Sequence, residues 1–198
     1  QDVAETFFKC DAKVLTSFPF QLKCLKIEAS QEENVMVESV KEFLKSQRKS
    51  LEELKLKSNF DESINEFVLR EMTSLTSLQM KFKSSRRNDI NFADFEPLPK
   101  IIRLKLRGVM KPHQLRQLLN LFPSLESLST LKLTFKPEFL DDFDMFSERN
   151  LKSLQGDYFV SAKEVFPELE KFHVGQINDE SLYNRFLRNH AESLEEIS

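Results

Sequence analysis

Glycine occurs only three times in 198 residues, at Gly108, Gly156 and Gly175. That scarcity excludes a phosphate-cradling P-loop and a dinucleotide fingerprint, both of which need clustered glycines. No G-x-S-x-G turn is present, so the nucleophile elbow of α/β-hydrolases is excluded as well. Tryptophan is absent, and the two cysteines, Cys10 and Cys24, are too few for a disulfide framework. We expect two free thiols in a reducing compartment, cytoplasmic or nuclear, with a single Cys10–Cys24 bridge in a secreted protein as the alternative. His113, His173 and His190 are far apart, and no C-x-x-C or H-x-x-x-H pair offers metal ligands. Nothing points to a cofactor. No apolar run approaches the ~18 residues that a bilayer span needs, so no membrane association is expected. The stretch "QDVAETFFKCDAK" lacks the basic and apolar regions of a signal peptide.

What is present is a core-forming composition. The chain is 40% hydrophobic and 31% charged, with 19 phenylalanines and a net charge of −3. This suits one folded domain over residues 1–198 and singles out no class of partner.

The strongest signal is a rhythm. In "LEELKLKSNF" the apolar residues Leu51, Leu54 and Leu56 are spaced by three and then two, which no helix face sustains. The same spacing occurs at Leu22-Leu25-Ile27, Leu75-Leu78-Met80, Ile101-Leu104-Leu106 and Leu128-Leu131-Leu133. Weaker copies stand at Leu151-Leu154-Gly156 and Leu169-Phe172-Val174, and a last start at Leu194-Ile197 is cut short. First positions advance by 29, 24, 26, 27, 23, 18 and 25 residues, and most of these steps fall in the range of a leucine-rich repeat. Units starting near 22, 51, 75, 101, 128, 151 and 169, with a truncated one from 194, are therefore expected.

The connecting segments read as helices. Met36, Val40, Phe43 and Leu44 share one face, and Ile64, Phe67 and Val68 another, with Ser63 and Glu66 spaced as a capping box. Pro112 suits a first helical position ahead of the Leu115, Leu118, Leu119, Phe122 stripe. Asp179 is a candidate N-cap for a helix carrying Tyr183, Phe186, Leu187 and His190. "DINFADFEPLPK" reads as a short helix or loop, and Ser161 with Glu164 as the start of a single helical turn. One strand and one helix per unit, stacked, give a right-handed α/β solenoid: one curved parallel sheet with helices on the convex side. Asn59 has no equivalents, since Ser30, Lys83, Val109, Lys136, Phe159 and Ile177 occupy that position elsewhere. No asparagine ladder is expected.

The matching segments "LKCLKIEA", "LEELKLKSN", "LTSLQMKF", "IIRLKLRGV", "FPSLESLSTLKL", "FPELEKFHVGQINDESL" and "SLEEI" resemble the irregular leucine-rich repeats of F-box/LRR proteins and ribonuclease-inhibitor-like horseshoes. The "FP-x-L" lead into a strand at Phe122-Pro123 and Phe166-Pro167 is similar to that group, in its divergent insect style. The resemblance covers about residues 15 to 198. It implies a non-enzymatic substrate-recognition surface of a ubiquitin-ligase receptor, joined to cullin and the F-box adaptor through a region upstream of these residues. The alternative is a stand-alone scaffold or a secreted or immune recognition protein. The repeat broken off at Leu194 implies further chain, a partner or self-association at that end.

Acidic clusters such as Asp141-Asp142 with Asp144 lack the glycine and final Glu of a calcium loop and read as solvated faces. His190 reads as a packed or capping residue and Cys24 as an ordinary surface thiol. The candidate site is the strand face opposite the core, because side chains alternate along a strand. In chain order that face reads Cys24, Lys26, Glu28; Glu53, Lys55, Lys57; Ser77, Gln79, Lys81; Arg103, Lys105, Arg107; Thr130, Lys132, Thr134; Ser153, Gln155, Asp157; Lys171, His173, Gly175. Nine cations against three acids make it strongly basic in a chain of net charge −3. Lys55, Lys57, Lys81, Arg103, Lys105, Arg107, Lys132, Lys171 and His173 are the candidate binding residues, for an acidic or phosphorylated protein surface. Aromatic side chains are missing from the set and the pI is near 5.8, which argues against nucleic acid.

Overall fold

The protein was described from a computed structural model. The structure describes residues 7–8, 21–28, 37–57, 60, 62–82, 90–110, 112–134, 151–156, 168–174 and 180–197. The expectations for Asn59, Asp179, the Ser161–Glu164 turn, the Asp141 cluster and Cys10 lie outside these residues.

Nine strands are described, and they form one sheet in chain order: β1 Phe7–Phe8, β2 Cys24–Ile27, β3 Glu53–Leu56, β4 Ser77–Phe82, β5 Arg103–Val109, β6 Ser127–Thr134, β7 Ser153–Gly156, β8 Lys171–Val174 and β9 Glu196–Ile197. Every neighbouring pair is parallel. Four helices are described: α1 Val37–Gln47, α2 Glu62–Glu71, α3 Pro112–Asn120 and α4 Glu180–Asn189. The chain is thus α/β, and its stacked strand-and-connection units are compatible with a solenoid.

The three-then-two rhythm has a direct physical cause. The second apolar residue of each unit is aligned across the sheet: Leu25, Leu54, Leu78, Leu104, Leu128, Leu154, Phe172 and Ile197 are successive register partners. All but Ile197 are buried. The first apolar residue lies outside the strand and fills the corner where the chain turns in, as Leu51, Leu75, Ile101 and Leu151 do.

Between corner and strand, one carbonyl per unit accepts two backbone N–H groups from the next unit. Lys23, Glu52, Thr76, Ile102, Glu126, Lys152 and Glu170 each supply such an oxygen, at 2.7–3.2 Å. Glu52 and Glu53 donate to Lys23, Thr76 and Ser77 to Glu52, and so on to Glu195 and Glu196 on Glu170. Seven identical junctions satisfy the N–H groups that a turning chain would otherwise bury unpaired.

This ladder fixes the phase of each unit. The fifth unit starts at Leu125, three residues before the Leu128 start read from sequence, because Ile102 O accepts from Glu126 and Ser127. Leu104 accordingly pairs with Leu128 and Leu106 with Thr130. Thr130 is a correction: it faces the core at 1% exposure, and its hydroxyl donates to Gln155 O at 3.1 Å. A threonine can stand at an apolar position when its one polar group is hydrogen-bonded inside.

Helix faces follow the expected stripes. Val40, Phe43 and Leu44 of α1, Ile64 and Val68 of α2, and Leu115, Leu118 and Leu119 of α3 join the strand leucines in one core. Pro112 is the first residue of α3. Ser63 is the second residue of α2, two positions inside the N-cap that a capping box requires. Gln47, at the end of α1, is buried and accepts the Leu22 N–H on Oε1 at 2.9 Å, so this helix end caps the approach to β2. Residues Phe92–Asp94 form one 3-10 turn, capped by Asn91 accepting from the Ala93 N–H at 3.2 Å. That turn inserts Phe92 edge-on to Phe82 at 6.1 Å, and Arg70 lies 4.0 Å over the Phe95 ring. His190 is packed, as its helical position indicates: its ring lies 4.1 Å from Phe186, with Nδ1 2.8 Å from Phe186 O.

Candidate functional site: the outer strand face

Because the register is regular, outward side chains line up in rows across the strands. One row runs Lys26, Lys55, Gln79, Lys105, Ser129, Gln155, His173. A second runs Cys24, Glu53, Ser77, Arg103, Ser127, Ser153, Lys171, Glu196. A third places Lys81 beside Arg107, and Lys57 follows β3 at the same level, its N–H donating to Ile27 O at 3.1 Å.

The expected basic face is therefore not uniform. Over β2 to β5 it is cationic, and the described outward positions of β6 and β7 are neutral and polar, with Ser129 donating to Gln155 Oε1 at 2.9 Å. Lys171 and His173 are exposed, away from the main cluster, and Lys171 is paired with Glu196 at 3.0 Å. That partner raises the Lys171 ammonium above its usual range. Lys132 lies in β6 beyond an irregularity between Arg107 and Val109, and its side chain is outside the described residues. The register puts Ser127 and Ser129, not Thr130, in the outward rows of this unit.

Two acids partly offset the cluster. Glu53 bonds Lys55 at 2.8 Å, and Glu28 bonds Lys26 at 3.1 Å. The Lys55 bond leads in holding Glu53 below the usual carboxylate range, and the Lys26 bond does the same for Glu28. Among the described residues, Lys57, Lys81, Arg103, Lys105 and Arg107 make no salt bridge to a carboxylate, although Glu53 feels the Arg103 charge and Glu28 acts on Lys57. Lys105 is half-buried; burial first, and then the charges of Arg107 and Lys55, push its ammonium below the ordinary lysine value. Contact with the Lys26 ammonium leads in pushing Lys57 down, while Glu28 works the other way.

Two outward donors are also orphaned. Gln79 Nε2 and Arg107 Nε are buried without a hydrogen-bond partner. Gln79 was in the outward set from sequence but stood out there in nothing. Its one signal is a neutral amide in "LTSLQMKF" where the flanking units carry Lys55 and Lys105.

Cys24 is a free, half-buried thiol whose Sγ lies 3.5 Å from Glu53 Oε2. Burial, then the Glu53 charge and hydrogen bond, raise its pKa, with Lys55 opposing. A raised thiol pKa means less thiolate at neutral pH and slower alkylation than a free cysteine shows. In a Cys10→Ser background, Glu53→Gln removes two of the raising influences and is expected to speed iodoacetamide labelling at pH 7.5 several-fold. The rate profile should shift to lower pH; an unchanged profile would show that burial alone sets the value.

Among the described residues no group of His, Cys, Asp or Glu is arranged to hold a metal ion, and no helix is long and apolar enough to cross a membrane. No protein-family model and no curated protein matches this chain.

Proposed function

We propose that this chain is a leucine-rich-repeat solenoid, curved and right-handed with helices on the convex side, acting as a non-enzymatic protein-recognition module. Its outer sheet face takes an acidic protein surface. The observation that carries this reading is the group Lys57, Lys81, Arg103, Lys105 and Arg107 on adjoining strands, none of which makes a salt bridge to a carboxylate among the described residues. Single exposed ion pairs contribute only about 0–1 kcal/mol each, so several must act together with some apolar burial. Such a face speeds association and loses strength in salt.

The resemblance in the repeats supports a more specific role, the substrate-binding part of an F-box-type ubiquitin-ligase receptor. The free Cys24 thiol is in keeping with a reducing compartment rather than with a secreted protein. The first test is capture with the full-length gene product, with cullin and the F-box adaptor expected among the retained proteins. The second is Arg103→Glu/Lys105→Glu/Arg107→Glu in any partner so identified. Affinity should fall by at least about tenfold, and the salt dependence should flatten. Unchanged affinity and salt dependence would leave the basic face as a solubility device.

A further inference from the structure

We propose that the outer sheet face across β3 to β5 contains a binding site for a phosphate monoester, centred on Gln79, Lys105 and Arg107 and flanked by Lys57 and Lys81. The site lies within the basic face and rests on reading that face as a contact surface.

Gln79 is only 7% exposed although it lies in an outward row, and its Nε2 finds no acceptor. Arg107 Nε is likewise buried and unpaired. Native proteins rarely leave buried donors unmet, because each then loses its water without compensation. Here two such donors are close: Gln79 pairs in register with Lys105, and Arg107 follows Lys105 by two residues on the same face. Neither donor reaches a backbone carbonyl, although strand carbonyls elsewhere accept side-chain donors, as Lys81 O does from Asn65. Lys105 adds an ammonium that is half-desolvated and faces like charges. Orphaned donors among mainly positive charge, offset among the described residues by Glu53 and, beside Lys57, by Glu28, are the complement of an anion.

The number and type of donors indicate which anion. A carboxylate has two oxygens and one charge. A phosphate monoester presents three terminal oxygens and between one and two charges near neutrality. Three separate donor side chains with two flanking cations match the second. A guanidinium suits such an oxyanion, and the amide adds a neutral, directional contact that a solubility patch would not need. A diester, as in nucleic acid, carries one charge and fits less well.

The test uses the whole chain, titrated by calorimetry at constant ionic strength with inorganic phosphate and with N-acetyl-O-phosphoserine amide. N-acetyl-glutamate amide and a short oligothymidylate serve as carboxylate and diester controls. Saturable binding of both phosphate probes, several-fold tighter than either control, is expected. Gln79→Met keeps every charge and Arg107→Lys keeps the cation but loses Nε; each should weaken phosphoserine binding by at least about fivefold, since each removes a hydrogen bond to a charged group. Gln79→Met should also melt above the parent, because its unmatched donor is gone. If neither probe saturates, or a control binds as tightly, the site does not exist as described. If Gln79→Met and Arg107→Lys bind like the parent while the triple reversal loses binding, the basic face stands and this site is rejected. If the triple reversal also changes nothing, both fall.

Discussion

Gly108→Ala is expected to destabilise the protein by about 2–4 kcal/mol, from backbone strain and overpacking together. In a chain of this length that corresponds to a fall in Tm of roughly 5–15 °C. Gly108 has φ +105°, which L side chains seldom adopt, and it sits where the β5–β6 register slips. Two residue steps of β5, from Arg107 to Val109, oppose three of β6, from Leu131 to Thr134, and the glycine lets β5 bend to meet the extra β6 residue. The second obstacle is steric. A Cβ at this position would meet Phe82 O at 1.9 Å and Phe82 C at 2.9 Å, and Phe82 is its backbone partner in β4. A backbone carbonyl in a paired strand cannot swing away as a side-chain tip can. Gly108→Asn separates the two causes: asparagine tolerates positive φ better than alanine, yet brings the same Cβ. Equal losses for both variants identify the clash, and partial recovery by asparagine identifies the conformation. A Tm for Gly108→Ala within a degree or two of the parent would mean that β5 and β6 can re-register freely.

Phe186→Ala is expected to remove about 3–5 kcal/mol of local stability, the usual effect of deleting a fully packed aromatic ring. Phe186 is 1% exposed, with its ring centroid 4.5 Å from Phe172 of β8 and 4.1 Å from His190 at the end of α4. It joins helix to strand in the last fully paired unit, where β9 contributes only two residues and Ile197 is half-exposed. In a stacked array each unit depends on its neighbours alone, so the damage should stay local. Amide exchange in β8, α4 and β9 is expected to accelerate strongly while β3 to β5 keep their protection. Uniform acceleration along the chain would instead indicate one all-or-none cooperative block.

The strand-centred units were legible because burial imposes its own period. Leu25, Leu54, Leu78 and Leu104 must all point to one side, and a three-then-two spacing records a corner residue followed by a short strand. The phase of the fifth unit was not legible. "LESLSTLKL" offers Leu128-Leu131-Leu133 as an apolar triplet, and the true one, Leu125-Leu128-Thr130, hides its third member behind a hydroxyl. What makes Thr130 acceptable inside is Gln155 O, 25 residues away, which no local pattern encodes. The same limit governs the candidate site. Alternation alone placed Lys55, Lys81, Arg103, Lys105 and Arg107 on the outer face. That Glu53 is bonded to Lys55, that Lys105 is half-desolvated, and that Gln79 lacks an acceptor are properties of neighbouring strands rather than of any one segment.

The doubly accepting carbonyls bear on how the chain reaches this state. Each joins residues about one unit apart, so closing any junction loses a similar amount of chain entropy, and that loss grows only slowly with loop length. Parallel pairing across a whole unit is still slower than local helix formation, so strand docking rather than helix formation sets the pace. The long neighbouring strands β5 and β6 are the natural nucleus, from which units can add in both directions. During synthesis, a unit can dock as soon as its own strand has emerged, since its acceptor carbonyl already waits on the unit before.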